Sequence, residues 1–241
     1  MDAVLKQYDA LTEEQKALLP TAEKEKIEAL KAAFAGPSEE DQQIAEDFTE
    51  AVNALPTNKA GEVKAQLDCM TELLSSMTEE QKALIPESTM AAYQEAVDAF
   101  EPGRQFCSGD GYYKVLSNGD VTYHHPADET ITSAVVPNQV KKGKFLFKVI
   151  KISNYAFDGC ENLEWIVIHK NVRVIGEDAF NDTPKLTKIN IKGSGIVSGK
   201  VTDAFEGTGK NLIVKVPSKK LDEYKRLFTS EGGLDGSVRA A

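Results

Sequence analysis

The sequence lacks a long apolar run, a set of paired cysteines and a basic excess, and each lack removes a class of function. No stretch approaches the ~18 consecutive apolar residues that a membrane helix needs, so no membrane insertion is expected. The opening Met1-Asp2-Ala3-Val4 is acidic and amphipathic rather than basic and then apolar, so it does not read as a signal peptide. The expectation is an intracellular chain, or one whose leader has been removed. The closing Gly236-Ser237-Val238-Arg239-Ala240-Ala241 carries no recognisable anchor. Cys69, Cys107 and Cys160 are odd in number, far apart and without a C-x-x-C pair, which speaks against zinc, thioredoxin-like redox chemistry and a disulfide framework. Secretion stays open, because chains above ~80 residues often need no bridges. The formal charge is −10. Residues 1–103 hold 8 Lys+Arg against 22 Asp+Glu, a net of −14, and the remainder holds 20 against 16, a net of +4. Neither half offers the basic stripe that a phosphate backbone requires, so nucleic acid is not an expected partner.

Catalytic patterns are missing as well. There is no Gly-x-Ser-x-Gly elbow, no Gly-Lys-Ser/Thr phosphate loop and no His-Glu-x-x-His. Gly109-Asp110-Gly111 reads as a turn at a domain boundary, since no helix follows it to cradle phosphate. Asp128-Glu129 and Glu177-Asp178 fall in loops, where solvated charge explains them better than glycosidase chemistry. His124 and His125, adjacent on a strand, should point to opposite faces and so not share an ion, and His169 reads as a surface residue. Cys160 is assigned to packing, Cys69 to a helix and Cys107 to a linker, none with a neighbouring base to make it a nucleophile. No reaction, cofactor or metal is expected.

What the chain has is repetition. Leu11-Thr12-Glu13-Glu14-Gln15-Lys16-Ala17-Leu18-Leu19-Pro20 returns 66 residues later as Met77-Thr78-Glu79-Glu80-Gln81-Lys82-Ala83-Leu84-Ile85-Pro86. In each, Thr followed three residues on by Gln is a capping box, and the proline ends the short helix. At the same offset Val4 meets Met70, Tyr8 meets Leu74, Ile27 meets Tyr93 and Phe34 meets Phe100. Apolar stripes at helical spacing run through Ile27, Leu30, Lys31 and Phe34, and through Val63, Leu67, Met70, Leu73 and Leu74. Pro37-Ser38 ahead of Glu39, Glu40 and Asp41 marks another helix start. Ile44, Phe48, Val52 and Leu55 have no counterpart before Val4, so the first copy reads as truncated. Residues 1–101 are therefore expected to form antiparallel helices packed as a bundle.

After Glu101-Pro102-Gly103 the pattern changes. Tyr113 and Val115, then Asn118-Gly119, then Val121 and Tyr123 predict a hairpin closed by a type I′ turn. A 23-residue repeat follows: Ile152, Ala156-Phe157, Leu163, Ile166 and Ile168 recur as Ile175, Ala179-Phe180, Leu186, Ile189 and Ile191. A looser third copy holds Ala204-Phe205, Val214 and Val216, with one residue inserted before Leu212. Such units cannot bury their apolar faces singly, so a solenoid is expected, with Phe157, Phe180 and Phe205 buried in a row. The hairpin should cap one end, and the helix carrying Leu221, Tyr224, Leu227 and Phe228 the other. The fold class is thus α+β and multidomain, with a helical module over 1–101 and a capped repeat domain over 110–233.

These residues give the second half its resemblance to the BspA-like leucine-rich-repeat family of bacterial and protozoan surface proteins. Ile175-Gly176…Ala179-Phe180…Leu186…Ile189-Asn190-Ile191 fits the family pattern, Ala156-Phe157-Asp158-Gly159-Cys160 fits its turn, and Val216-Pro217 with Tyr224-Lys225 resembles its ending. Tyr8-Asp9-Ala10-Leu11-Thr12-Glu13-Glu14-Gln15-Lys16 resembles the core of helical modules in Gram-positive surface proteins. The resemblance implies a cell-surface or secreted location and binding of a host or neighbouring macromolecule, protein or glycan, without a reaction.

The candidate interface is the outward side of the repeat strands: Trp165, Val167 and His169, then Lys188, Asn190 and Lys192, then Ile213 and Lys215. Trp165 is the only tryptophan, and it reads either as an interface anchor or as a side chain packed on a neighbour. Two rival functions stand beside recognition. A structural spacer would show no exposed apolar patch on this face, and an enzyme would show a deep pocket with convergent polar groups between the halves.

Overall fold

The computed structural model describes residues 3–34 and 36–241, without the side chains of 32–34. By packing, the chain divides into two compact units, Met1–Asn53 with Met70–Ala91, and Ala54–Cys69 with Ala92–Ala241. Two helices, α5 and α7, each contribute to both.

The first unit is helical. Helices α1 (Ala3–Asp9), α2 (Glu13–Ala17), α3 (Thr21–Phe34) and α4 (Glu39–Asn53) precede α5 (Ala60–Ser76), α6 (Glu79–Ala83) and α7 (Glu87–Phe100). The 66-residue offset carries α2 onto α6 and α3 onto α7. Both capping boxes form: Thr12 Oγ1 accepts from the Gln15 N–H and Thr78 Oγ1 from the Gln81 N–H, while each glutamine side chain accepts from the threonine N–H in return. Ser38 starts α4 the same way, its Oγ accepting from the Asp41 N–H at 3.1 Å. Phe48 and Val52 of α4 are buried, and α4 packs on α6. The two copies differ in cover: Leu84 is half-buried, whereas its counterpart Leu18 is 85% exposed. Of the predicted stripe on α3, the Phe34 side chain lies outside the described residues. Lys31 holds its ammonium 4.5 Å from the centre of the Tyr8 ring.

The repeats of the second unit are preceded by a mixed sheet. Strands β1 (Gln105–Ser108), β2 (Gly111–Val115), β3 (Val121–Pro126), β5 (Gln139–Lys142) and β6 (Phe145–Ile152) form a sheet in the order β1-β2-β3-β6-β5, and β8 (Val174–Ile175) pairs with β6. Pairing is parallel between β3 and β6 and between β6 and β8. Gly109-Asp110-Gly111 is accordingly the turn of the β1–β2 hairpin, and Cys107 sits in β1, not in a linker. The β2–β3 turn is not type I′. Only Gly119 is left-handed, with φ of 81°. Its N–H donates to Leu116 O and the Leu116 N–H donates to Asp120 O, a three-residue loop ending in one left-handed glycine. Asn118 is not among the positive-φ residues, and its Oδ1 accepts from the Asp120 N–H, an Asx turn that needs no second left-handed residue. Gly119 also permits a close approach: a Cβ there would lie 2.8 Å from Ala60 O. On the other side Phe100, at the end of α7, packs on Phe145 and Phe147 with ring centres 5.1 and 4.6 Å away.

The repeats follow. Strands β4 (Ser133–Val136), β7 (Trp165–Ile168), β9 (Lys188–Ile191), β10 (Ile213–Val216) and β11 (Ser237–Ala240) form one parallel sheet in that spatial order. Its inner side buries Ile166, Ile168, Ile189, Ile191, Val214 and Val216. Opposite each strand lies the Ala-Phe turn. Phe157, Phe180 and Phe205 stack as expected, with ring centres 5.4 and 5.7 Å apart and planes within 12°. Turn backbones bond from coil to coil: the Phe157 N–H donates to Ala179 O and the Phe180 N–H to Ala204 O, which satisfies groups that are cut off from water. Gly176 shows why glycine follows Ile175, since a Cβ there would lie 2.3 Å from Asn154 N in the neighbouring coil. A 3₁₀ turn (Ser218–Lys220) leads into α8 (Leu221–Ser230), which buries Tyr224, Leu227 and Phe228. The Tyr224 hydroxyl accepts from the Ile196 N–H and donates to Gly193 O, tying α8 to the loop after β9.

Candidate functional site

Parallel register places every second residue of β4, β7, β9, β10 and β11 on the outer side of one sheet. Ser133, Trp165, Lys188, Ile213 and Ser237 form one row across it, and Val135, Val167, Asn190, Lys215 and Arg239 form the next. Trp165 is 43% exposed and Val135 49%. Lys188 is exposed, while Val167, Asn190, Ile213 and Lys215 are half-buried. His169 and Lys192 lie one residue past their strands, tied in by backbone bonds to Val136 O and Ile168 O. Of the eight residues singled out in the sequence, the six within the strands, Trp165, Val167, Lys188, Asn190, Ile213 and Lys215, therefore come to one side of one sheet. The β4–β7 end of this side is apolar, through Val135, Trp165 and Val167. The β9–β11 end is cationic, through Lys188, Lys215 and Arg239.

A shallow hollow of about 350 Å³ lies along this side, lined by Trp165, Val167, Lys188 and Asn190 with Glu164 and Thr187. Asn190 Oδ1 is shut off from solvent and has no hydrogen-bond partner among the described residues. A buried acceptor left unpaired costs about 1–3 kcal/mol.

Val135 escaped the sequence reading, and so did Arg239. Strand β4 sits 32 residues before β7 in register, not 23, because the β5–β6 hairpin is inserted between them. Strand β11 follows α8, and its Ser237-Val238-Arg239-Ala240 lacks the Ile-x-Ile signature. The available signal was Ala134-Val135-Val136, an alternating apolar triplet beside Pro137.

Other candidates fall elsewhere. His124 and His125 do not point to opposite faces: their ring centres are 5.0 Å apart. The register jumps from Tyr112↔His125 to Tyr113↔Tyr123, so His124 is the extra residue of a β-bulge, and a bulge breaks strict alternation. His125 stacks on Tyr112 at 4.7 Å, and its Nδ1 lies 2.8 Å from Pro126 O. Cys160 is buried, and burial pushes its thiol up to about 11, which suits packing and not nucleophilic work. Cys69 and Cys107 are exposed. Among the described residues no three or more His, Cys, Asp or Glu side chains are grouped to hold a metal ion, and no helix is long and apolar enough to cross a membrane.

A parallel ladder of short strands closed by repeated Ala-Phe turns and stacked phenylalanines is of the leucine-rich-repeat class. Residues 133–229 match the BspA type Leucine rich repeat region in six copies, a span that includes β4. No curated protein matches the chain. Among solved structures, a leucine rich cell surface protein from Faecalibacterium prausnitzii A2-165 is similar at 20% identity and a TM-score of 0.39, over 46% of this chain and 30% of that one. A leucine-rich repeat protein from Bacteroides capillosus ATCC 29799 gives 20% identity and a TM-score of 0.39 over 56% and 99%. One from Bacteroides ovatus ATCC 8483 gives 23% and 0.37 over 45% and 36%. The chain thus spans under a third of the Faecalibacterium protein.

Proposed function

We propose that this protein is a non-enzymatic recognition protein, exposed at a cell surface or secreted, that binds a macromolecular partner through the outer side of its repeat sheet. The observation that carries this reading is the exposed apolar group of Trp165, Val135 and Val167 beside the unpaired Asn190 Oδ1. An exposed tryptophan flanked by aliphatic groups is the usual anchor of an interface. The adjoining Lys188, Lys215 and Arg239 favour a protein partner with acidic groups at the rim of its contact surface. In this reading the repeat domain is the solenoid of residues 110–233, capped by its hairpin and by α8. The helical module of residues 1–101, a bundle of two related repeats, serves as spacer or stalk.

The test is a binding screen of the purified chain against extracellular-matrix proteins and glycans, with Trp165→Ala in parallel. Binding that the variant weakens by about tenfold or more, with an unchanged melting temperature, supports the reading. A large loss of stability with binding intact sinks it.

A further inference from the structure

The second unit has another concavity. A cavity of about 300 Å³ opens beside the β1–β2 turn and strands β4 and β5. Two tyrosines that packing has otherwise removed from solvent reach it: Tyr113 and Tyr123, each 2% exposed, with rings edge to face at 5.5 Å. Neither phenol hydroxyl has a hydrogen-bond partner among the described residues. Burial first, and the Asp110 carboxylate with it, pushes both phenols up, that of Tyr113 to about 12. Both therefore stay protonated at physiological pH, and each keeps a free donor and a free acceptor. Gly111 makes room for the Tyr123 ring, since a Cβ there would lie 2.6 Å from it. The tyrosines are held in place from behind, because Tyr123 stacks on Phe157 at 5.1 Å.

The remaining polar residues of the lining are mixed, acidic Asp110, basic Lys141 and neutral Ser133 and Gln139. Ile131, Pro137 and Val140 supply apolar wall. We propose that this cavity is a binding subsite for a neutral polyhydroxylated ligand about the size of one sugar ring. The charges in the lining balance, so a cation or an anion would meet a like charge along with its partner. A cation could use the phenols only as acceptors and an anion only as donors. An alcohol hydroxyl both donates and accepts, and so pairs with phenol, carboxylate, ammonium and amide alike. The apolar wall takes the C–H face of a ring, and the volume sits at the small end of ligand sites, roughly 300–1,000 Å³. The subsite adjoins the Trp165 side of the sheet, sharing Ser133 and Val135 with it, but its tyrosines stand on β2 and β3 and ligand binding there does not rest on partner binding through Trp165.

The test uses the full chain with ¹³C-labelled tyrosine, titrated at millimolar concentration with methyl glucoside, methyl galactoside and methyl N-acetylglucosaminide. Methylammonium and acetate serve as charged controls. Tyr113→Phe and Tyr123→Phe assign the signals. The expected result is saturable shifts of both signals by at least one glycoside, with affinity falling about tenfold in either variant and unaltered in Trp165→Ala. Both phenylalanine variants should melt at or above the wild-type temperature, because no internal hydrogen bond is lost. Silence from all three glycosides, equal shifts from the charged controls, or full affinity in the phenylalanine variants would each overturn the proposal. So would loss of glycoside binding in Trp165→Ala, and a clear drop in melting temperature would show that the hydroxyls already have partners.

Discussion

The ring of Tyr123 lies over that of Phe157, 5.1 Å between centres and 14° between planes. A hairpin residue is thus the first member of the stack that Phe157, Phe180 and Phe205 continue, and Phe228 of α8 closes it at 5.1 Å from Phe205. Both ends of the repeat array are sealed with the side-chain type that fills its middle. A coil without a neighbour would leave one face of its phenylalanine in water, and each such stack contributes about 0.5–1.5 kcal/mol beyond the area buried.

Phe180 stands in the middle of that column and is fully buried. Phe180→Ala should cost about 3–5 kcal/mol, while Phe180→Leu, which keeps most of the volume, should cost about 1.5 kcal/mol or less. Urea unfolding followed by Trp165 fluorescence reads both. Equal costs would mean that the column is not a tightly packed stack.

Gly176 and Gly159 separate two reasons for glycine. At Gly176 a Cβ would sit 2.3 Å from Asn154 N, whereas at Gly159, with φ of 73°, nothing lies within 4 Å. Gly159→Ala should cost only the left-handed penalty, about 1–2 kcal/mol. Gly176→Ala should cost more, because two coils must part. Thermal melts of the two variants give the order, and the reverse order would refute the close approach.

Tyr155, Asp178 and Asp203 occupy the same place, just before Ala-Phe, and all are left-handed, with φ of 56°, 50° and 49°. Aspartate tolerates this conformation, whereas a bulky ring does not. Tyr155 is 54% exposed, so little holds it there beyond a side-chain hydrogen bond with Asp178. Tyr155→Asn is expected to stabilise the protein by about 1 kcal/mol, and Asp178→Ala to destabilise it by a similar amount. Denaturant midpoints check both signs.

Asp41 ties the start of α4 to α6. Its carboxylate accepts from Ser38 and, at 2.9 Å, from Gln81 Nε2. The bonds from Ser38, then that from Gln81, hold its pKa below the ordinary aspartate value. A depressed folded value stabilises the protein above the unfolded value, and that contribution fades as pH falls from there through the folded one. Asp41→Asn should therefore remove part of the acid sensitivity of the helical signal between about pH 4 and the folded value. Circular dichroism melts across that range decide it, and an unchanged profile in the variant would count against the link.

Much of this was legible from local pattern. The capping boxes need only residues three apart, and the stacked phenylalanines follow from the recurring Ala-Phe, each with branched residues 9 and 11 positions further on. The outward rows around Trp165 follow from the alternation of side chains along a strand. What stayed hidden depends on distant segments. Strand β4 lies 32 residues from its partner, and β11 lacks the branched signature, so neither could be placed by period. His124 joined His125 through a bulge that only the pairing of β2 with β3 creates.

The sequence by itself determined the helices and their starts, the repeat coil, its buried column and the side on which Trp165 stands. These rest on interactions a few residues apart, or on one that recurs at a fixed interval. Tertiary structure alone decided that Phe100 packs on Phe147, that Val135 adjoins Val167 and that Tyr113 and Tyr123 end in a shared cavity. Those outcomes depend on which strands meet, and strand pairing is settled by the burial of whole faces, not by neighbours in the chain.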